Sequence, residues 1–132
     1  MAAFTALTML SPPARVLFQD RTDAAGFDVV TWSGGKEKNH IVESTGNGVL
    51  LLDYDSDGFL DVYFVNAIRF LEGRKTEPHS NVLYRNRGDG TFVDVTKEAG
   101  VGSTAFGVGG AVADFDNDGL LDIYVTNWGP NT

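Results

Sequence analysis

Apolar and polar residues alternate along this chain in blocks that come round twice. Gly46-Asn47-Gly48-Val49-Leu50-Leu51-Leu52 is almost continuously apolar, and so is Gly107-Val108-Gly109-Gly110-Ala111-Val112-Ala113. Such runs predict strands with neither face open to water. A polar nine-residue stretch follows each run. Then come residues 60–66 and 121–127, rich in β-branched and aromatic side chains, which predict a second strand. Asn81-Val82-Leu83-Tyr84-Arg85-Asn86 and Thr91-Phe92-Val93-Asp94-Val95 flank Arg87-Gly88-Asp89-Gly90, and that turn chemistry predicts a β-hairpin. Between residues 67 and 80 the chain reads as a long polar connection.

The polar stretches carry the candidate chemistry. Asp53-Tyr54-Asp55-Ser56-Asp57-Gly58-Phe59-Leu60-Asp61 and Asp114-Phe115-Asp116-Asn117-Asp118-Gly119-Leu120-Leu121-Asp122 both read D-x-D-x-D-G-x-L-D. Carboxylates at positions 1, 3, 5 and 9, with glycine at 6 for a sharp turn, form a ring of hard oxygen donors. Ca²⁺ takes about six to eight oxygens at roughly 2.3–2.6 Å and suits such a ring. Phe59 and Leu120, at position 7, would add backbone carbonyls. Without a cation the carboxylates repel one another. The predicted ligand sets are therefore Asp53, Asp55, Asp57, Phe59 and Asp61, and Asp114, Asp116, Asp118, Leu120 and Asp122, for two Ca²⁺. An EF-hand would need glutamate at position 12 and a helix afterwards; Phe64 and Val125 stand there, in strand-forming sequence. Thrombospondin-type calcium repeats depend on cysteines, and this chain has none.

Composition narrows the setting. The 132 residues hold 16 glycines, 4 prolines and 42% apolar residues, a globular and turn-rich balance. The net charge is −8 at pH 7, and the two loops supply eight aspartates. An acidic chain argues against nucleic acid or an anionic membrane surface as partner, since both need Lys/Arg patches. The lack of cysteine removes disulfide and thiolate-metal chemistry. Residues 1–15 read as a disordered arm, because the apolar start has no basic region before it and stops at Ser11-Pro12-Pro13. No apolar run approaches the roughly 20 residues of a membrane span.

The repeat defines the organisation. The acidic loops begin 61 residues apart, whereas Phe18 and Phe92, and Gly26 and Gly100, lie 74 apart, so the first copy carries 13 extra residues within 27–45. One unit is inner strand, acidic loop, second strand, connection, third strand, Gly-Asp-Gly turn and fourth strand. Four antiparallel strands per unit make a β-propeller blade. The expected fold is all-β, a partial propeller of four-stranded antiparallel blades with calcium loops between first and second strands. Residues 16–26 would close a preceding blade, 46–100 form a complete one, and 107–132 begin the next.

With these residues in view, the chain resembles the FG-GAP/VCBS-like repeats of the cartilage acidic protein (ASPIC/UnbV-associated) family, related to the integrin α-subunit propeller. The match runs through residues 18–26, 46–66, 81–100 and 107–131, and it rests on the doubled acidic loop joined to N-x-L-Y-R-N-x-G-D-G-T-F. The resemblance implies that loop positions 1, 3, 5 and 9 hold Ca²⁺. It also implies a propeller of about seven blades, of which this chain is a part, in an extracellular or periplasmic setting. Further blades or other chains are then needed to cover the open blade edges.

Sharper motifs have plainer explanations. Arg87-Gly88-Asp89 spells an integrin-recognition tripeptide, but the hairpin turn requires this sequence anyway. His40 and His79 are the only imidazoles. A Ser-His-Asp triad assembles from residues distant in sequence, yet nothing here resembles a nucleophile elbow. Paired carboxylates for glycoside hydrolysis are better explained as metal ligands. No catalytic residue is assigned, and the chain is not expected to be an enzyme. Trp32 and Trp128 read as core rather than as sugar-stacking platforms. The leading function is a calcium-binding module with a binding, adhesion or scaffold role toward a protein or glycan ligand. The alternatives are a non-catalytic part of a larger secreted enzyme and a carbohydrate-binding module.

Asn131 occupies the position of Asn81 in the repeat. The residues encoded after Thr132 should accordingly read like Leu-Tyr-Arg-Asn-x-Gly-Asp-Gly-Thr-Phe; a stop codon directly after Thr132 in the intact gene would contradict this.

Overall fold

The computed structural model describes residues 17–72 and 75–132, so the expected arm at 1–15 lies outside the described residues. Four strands, β1 (Val49–Leu52), β2 (Asp61–Phe64), β5 (Val82–Asn86) and β6 (Phe92–Asp94), form one antiparallel sheet in the order β1-β2-β5-β6. Leu52 pairs with Asp61 and Val49 with Phe64, so the first acidic stretch is the turn that joins β1 to β2. Phe64 pairs with Val82, and Asn86 with Phe92 across the Arg87-Gly88-Asp89-Gly90 turn. In that turn Asp89 Oδ1 accepts from the Thr91 main-chain N–H and hydroxyl, at 2.9 and 2.6 Å, so its carboxylate serves the hairpin.

The second copy is a two-stranded antiparallel sheet, β7 (Gly107–Ala113) with β8 (Asp122–Asn127), bulged between Gly107 and Gly109. Thr132 exchanges main-chain hydrogen bonds with Val125, which repeats the pairing of Val82 with Phe64. The two copies meet at glycines. A Cβ on Gly48 would come within 2.8 Å of Gly109 Cα, and one on Gly107 within 2.7 Å of the Asn66 carbonyl. Backbones this close exclude a Cβ. Leu52, Tyr63, Val65, Leu83, Val95 and Val125 form the buried core between the sheets.

Three expectations about strands need correction. The inner strand β1 is dry on one face only: Leu52 is buried, whereas Val49 and Leu51 are 57% and 60% exposed. An apolar run does not by itself say whether a second layer covers it. The strand expected within 16–26, to close a preceding blade, does not form among the described residues; 17–21 are irregular, and Thr22–Ala25 is a helical turn, α1. A strand needs a partner, and no described strand lies alongside to supply one. Instead Phe27 packs its ring among Phe64, Tyr84 and Phe92, at centroid distances of 5.7, 5.0 and 4.6 Å. The segment still obeys the repeat. Its counterpart α2 (Thr96–Ala99) ends, like α1, on a left-handed glycine, Gly100 matching Gly26. Lastly, the polar connection contains a hairpin, β3 (Ile68–Phe70) with β4 (Thr76–Pro78). Arg69 and Glu77 face each other across it at 3.4 Å, a cross-strand ion pair that the charge count alone hides.

A buried amide joint links these parts. The Asn66 main-chain N–H donates to Asn81 Oδ1 at 2.7 Å, and Asn81 Nδ2 donates to the Tyr63 hydroxyl at 3.0 Å. That hydroxyl donates to the Val101 carbonyl at 2.8 Å. The joint recurs 61 residues on: Asn127 N–H donates to Asn131 Oδ1 at 2.9 Å, and Asn131 Nδ2 donates to the Tyr124 hydroxyl at 2.6 Å. In the first copy Asn66 also reaches the inserted segment, since its Oδ1 accepts from Trp32 N–H at 2.8 Å and its Nδ2 donates to the Val30 carbonyl at 3.0 Å.

The two additions of the first copy, 27–45 and 67–80, pack on each other. Gly34 bridges to Arg69, and the Arg69 guanidinium lies 4.1 Å above the Trp32 ring. His79 stacks on the same indole. Trp32 is thus half-buried, as a core reading requires in part, but Trp128 is 66% exposed and is not core. Phe106 meets its ring edge-on. Glu43, in a 3₁₀ turn at Ile41–Ser44, is buried and holds the first addition together. Its two carboxylate oxygens accept from Gly35 N–H at 2.6 Å and His40 N–H at 2.9 Å. Gly34 must be glycine here, with φ +75° and the Glu43 side chain where its Cβ would stand. No described helix is long and apolar enough to cross a membrane.

The Gly35 N–H lowers the Glu43 carboxyl below its ordinary value of 4.5, burial opposes this, and the His40 N–H reinforces it. A depressed folded-state pKa stabilises the fold above the unfolded value and loses that contribution as pH falls through the folded value. Glu43→Gln should therefore melt below the parent at pH 7. The gap should narrow as pH falls from 4.5 through the depressed value, followed by circular dichroism; a gap independent of pH would refute this.

Candidate metal centres

Each acidic stretch closes a strand pair, and its backbone is set by residues of the stretch itself. Ser56 and Gly58 have φ of 60° and 87°, and Asn117 and Gly119 have 59° and 90°, so each loop twice enters the left-handed region. Serine and asparagine tolerate it at some cost, and glycine at none. The first carboxylate pays the loop's hydrogen-bond debts. Asp53 accepts from the N–H groups of Asp57 and Gly58, both at 3.0 Å, and Asp114 from Asp118 and Gly119 at 3.1 and 3.0 Å. The last carboxylate ties the loop to its outgoing strand. Asp61 Oδ2 accepts from Tyr54 N–H at 2.9 Å, and Asp122 Oδ2 from Phe115 N–H at 2.8 Å.

Three of the four predicted carboxylates converge in each copy. Oxygens of Asp53, Asp55 and Asp61 all lie within 4.8 Å of one another, and so do those of Asp114, Asp116 and Asp122. Asp57 and Asp118 stand outside these groups. Each caps its own turn, Asp57 Oδ1 accepting from Phe59 N–H at 2.9 Å and Asp118 Oδ1 from Leu120 N–H at 2.8 Å. Spacing alone does not show that these carboxylates also cap the turn. The Phe59 and Leu120 side chains are exposed, which leaves position 7 only its backbone to offer.

The donor set fits a hard divalent cation. Three carboxylates crowded within 4.8 Å repel one another until a positive charge sits among them. All-oxygen donors select Ca²⁺ or Mg²⁺ over the softer transition metals. Both clusters can hold a metal ion.

The two centres differ in what surrounds them. Asp61 has no solvent exposure, because Asn86 N–H donates to its second oxygen at 2.7 Å from β5; Asp122 is exposed. Sequence reading missed Asn86, although it stands in the Leu-Tyr-Arg-Asn run, because its loop contacts arise only when β5 lies beside β2. It also missed Asn66 and Asn81. Their signal was present: an asparagine closes the second strand of both copies, 61 residues apart.

The FG-GAP-like repeat profile matches residues 53–125, more than half of the chain. Cartilage acidic protein 1 of Homo sapiens is 53% identical over 53 residues, and that of Xenopus tropicalis 49%. The protein of the same name from Mus musculus is also 49% identical. In each case the alignment covers 39% of this chain and 8% of the relative, so the chain matches under a tenth of their length. No solved structure matches it.

Proposed function

The chain belongs to the FG-GAP-like repeat family, and from that premise we propose that it is a calcium-stabilised β-propeller module with an extracytoplasmic binding or scaffold role. The observation that carries this is the pair of carboxylate triads, built alike at the first turn of each repeat. The sheet β1-β2-β5-β6 supports reading residues 46–100 as one blade, and β7–β8 supports 107–132 as the start of the next. The glycine contacts between β1 and β7 suit inner strands crowded about an axis. Asp53, Asp55, Asp57 and Asp61, and Asp114, Asp116, Asp118 and Asp122, would hold the two Ca²⁺, with carbonyls of Phe59 and Leu120 completing the oxygens.

On this reading the metal is a clip and the chain catalyses nothing. When bound it neutralises the crowded carboxylates, while the protein's own groups hold the turn and tie it to the sheet. The extracellular or periplasmic setting is inferred from the family resemblance. Further blades or other chains would cover the exposed faces of Val49 and Leu51, and the ligand would be a protein or a glycan. A carbohydrate-binding role has the exposed Trp128 in its favour; Trp32 offers less, with Arg69 over its ring.

Calorimetry should find two Ca²⁺ per chain with affinities on the order of 10⁻⁵–10⁻³ M. Absence of calcium-specific heat, or preference for Mg²⁺, would overturn the reading. Acid protonates the ligands, so low pH and chelator should lower the melting temperature alike.

Calcium at a hundredfold excess over Kd adds about 2.7 kcal/mol of stability per site. Asp122→Ala should abolish the part of the calcium-dependent rise in melting temperature due to the second loop and leave the first loop bound. A variant that keeps the whole rise but loses a ligand would mark the loop as a functional site rather than a clip.

A further inference from the structure

The β5–β6 hairpin reaches back over the first acidic loop at three points. Asn86 holds the loop's exit, its main-chain N–H on Asp61 Oδ1 at 2.7 Å and its Nδ2 on the Leu60 carbonyl at 3.0 Å. Its Oδ1 accepts from Gly88 N–H at 2.9 Å, so the same side chain also starts the hairpin turn. The Phe59 ring covers Gly88 so closely that a Cβ there would come within 2.7 Å of it. Arg85 Nη1 lies 3.9 Å from Asp55 Oδ2, one of the three converging carboxylates. Among the described residues the second loop has no such clasp, and no Lys or Arg pairs with its carboxylates.

We propose that Asn86 is the positioning residue of the first cation loop and Arg85 its built-in counter-charge, with opposite effects on affinity. The proposal rests on the calcium reading above. Asn86 fixes Asp61 and Leu60 before any cation arrives, and a donor set already in place loses less freedom on binding. Arg85 works against the cation. Its guanidinium eases the repulsion among the carboxylates in the metal-free loop and meets an incoming divalent ion as a like charge. Calcium occupancy and docking of the hairpin are then linked equilibria, each favouring the other through Asn86.

The test uses the full chain carrying Asp114→Ala and Asp116→Ala, so that calorimetry with CaCl₂ reads the first loop alone. Asn86→Ala keeps the main-chain N–H on Asp61 but removes the side-chain bonds to the Leu60 carbonyl and the Gly88 N–H, and the loosened loop exit should weaken calcium binding about tenfold by loss of pre-organisation. Arg85→Gln should tighten it about fivefold, an effect that shrinks in 1 M NaCl as screening weakens the repulsion between Arg85 and the cation in the parent. A purely structural role for both residues would lower metal-free melting temperatures and leave Kd within twofold of the parent; that result overturns the proposal, as would a shift of both variants in the same direction. Should Asn86→Ala fail to fold, the half-exposed Arg85 decides alone, and weaker or unchanged binding in Arg85→Gln overturns the proposal. If the parent takes up no calcium, the calcium reading fails and this proposal with it; if the parent binds and the variants match it, only this proposal fails.

Discussion

A carboxylate with no exposure to solvent sits where the first sheet turns. Asp61 closes the acidic loop, opens β2, pairs with Leu52 of β1 and takes an N–H from β5. A buried charge is tolerated only when hydrogen bonds or an opposite charge replace the lost water. Tyr54 and Asn86 supply one donor to each of its oxygens, and Asp53 and Asp55 place it beside a cation position. Three strands and the loop therefore share one requirement, and a change to any of them is felt at this side chain. Asp122 has the same chemistry with, among the described residues, only the Phe115 donor, and it lies open.

The repeat was legible because its signals are local. Four aspartates and a glycine in nine residues, a β-branched run and a Gly-Asp-Gly turn each reveal themselves within one turn of chain, and the 61-residue interval confirms them. All four strands of the first sheet, and both of the second, lie where the apolar runs place them. What escaped depends on partners far along the chain. Val49 and Leu51 read as buried although nothing in the described structure covers them. Residues 17–21 have strand composition but no strand beside them. Ile68-Arg69-Phe70 alternates as a strand should, yet its charged neighbours mask it, and only pairing with Glu77 and Pro78 makes the pattern meaningful. Asp57 shows a related limit inside the site: spacing does not reveal that its side chain also caps its own turn.

Glu43 and the joint of Asn66 and Asn81 show how an irregular segment is held without a sheet of its own. Buried main-chain groups need partners, and here two asparagines and a glutamate supply them. The amide of Asn66 binds Trp32 and Val30 of the first addition, and Asn81 binds the second strand back to its own neighbour. Each bond contributes about 1 kcal/mol net, but an orphaned donor would cost more.

The asparagine pair is separated by fifteen positions in one copy and by four in the other, yet it closes in both through the same two hydrogen bonds, one between the asparagines and one to the equivalent tyrosine, Tyr63 or Tyr124. The scaffold therefore does not register how much chain lies between the two amides. That makes the joint a natural splice point: evolution, or an engineer, can lengthen, shorten or exchange the intervening segment, as β3–β4 illustrates, while the sheets beneath keep their register. Diversity in this architecture would then accumulate as cargo carried between two fixed clasps, away from the acidic turns on which the strands close.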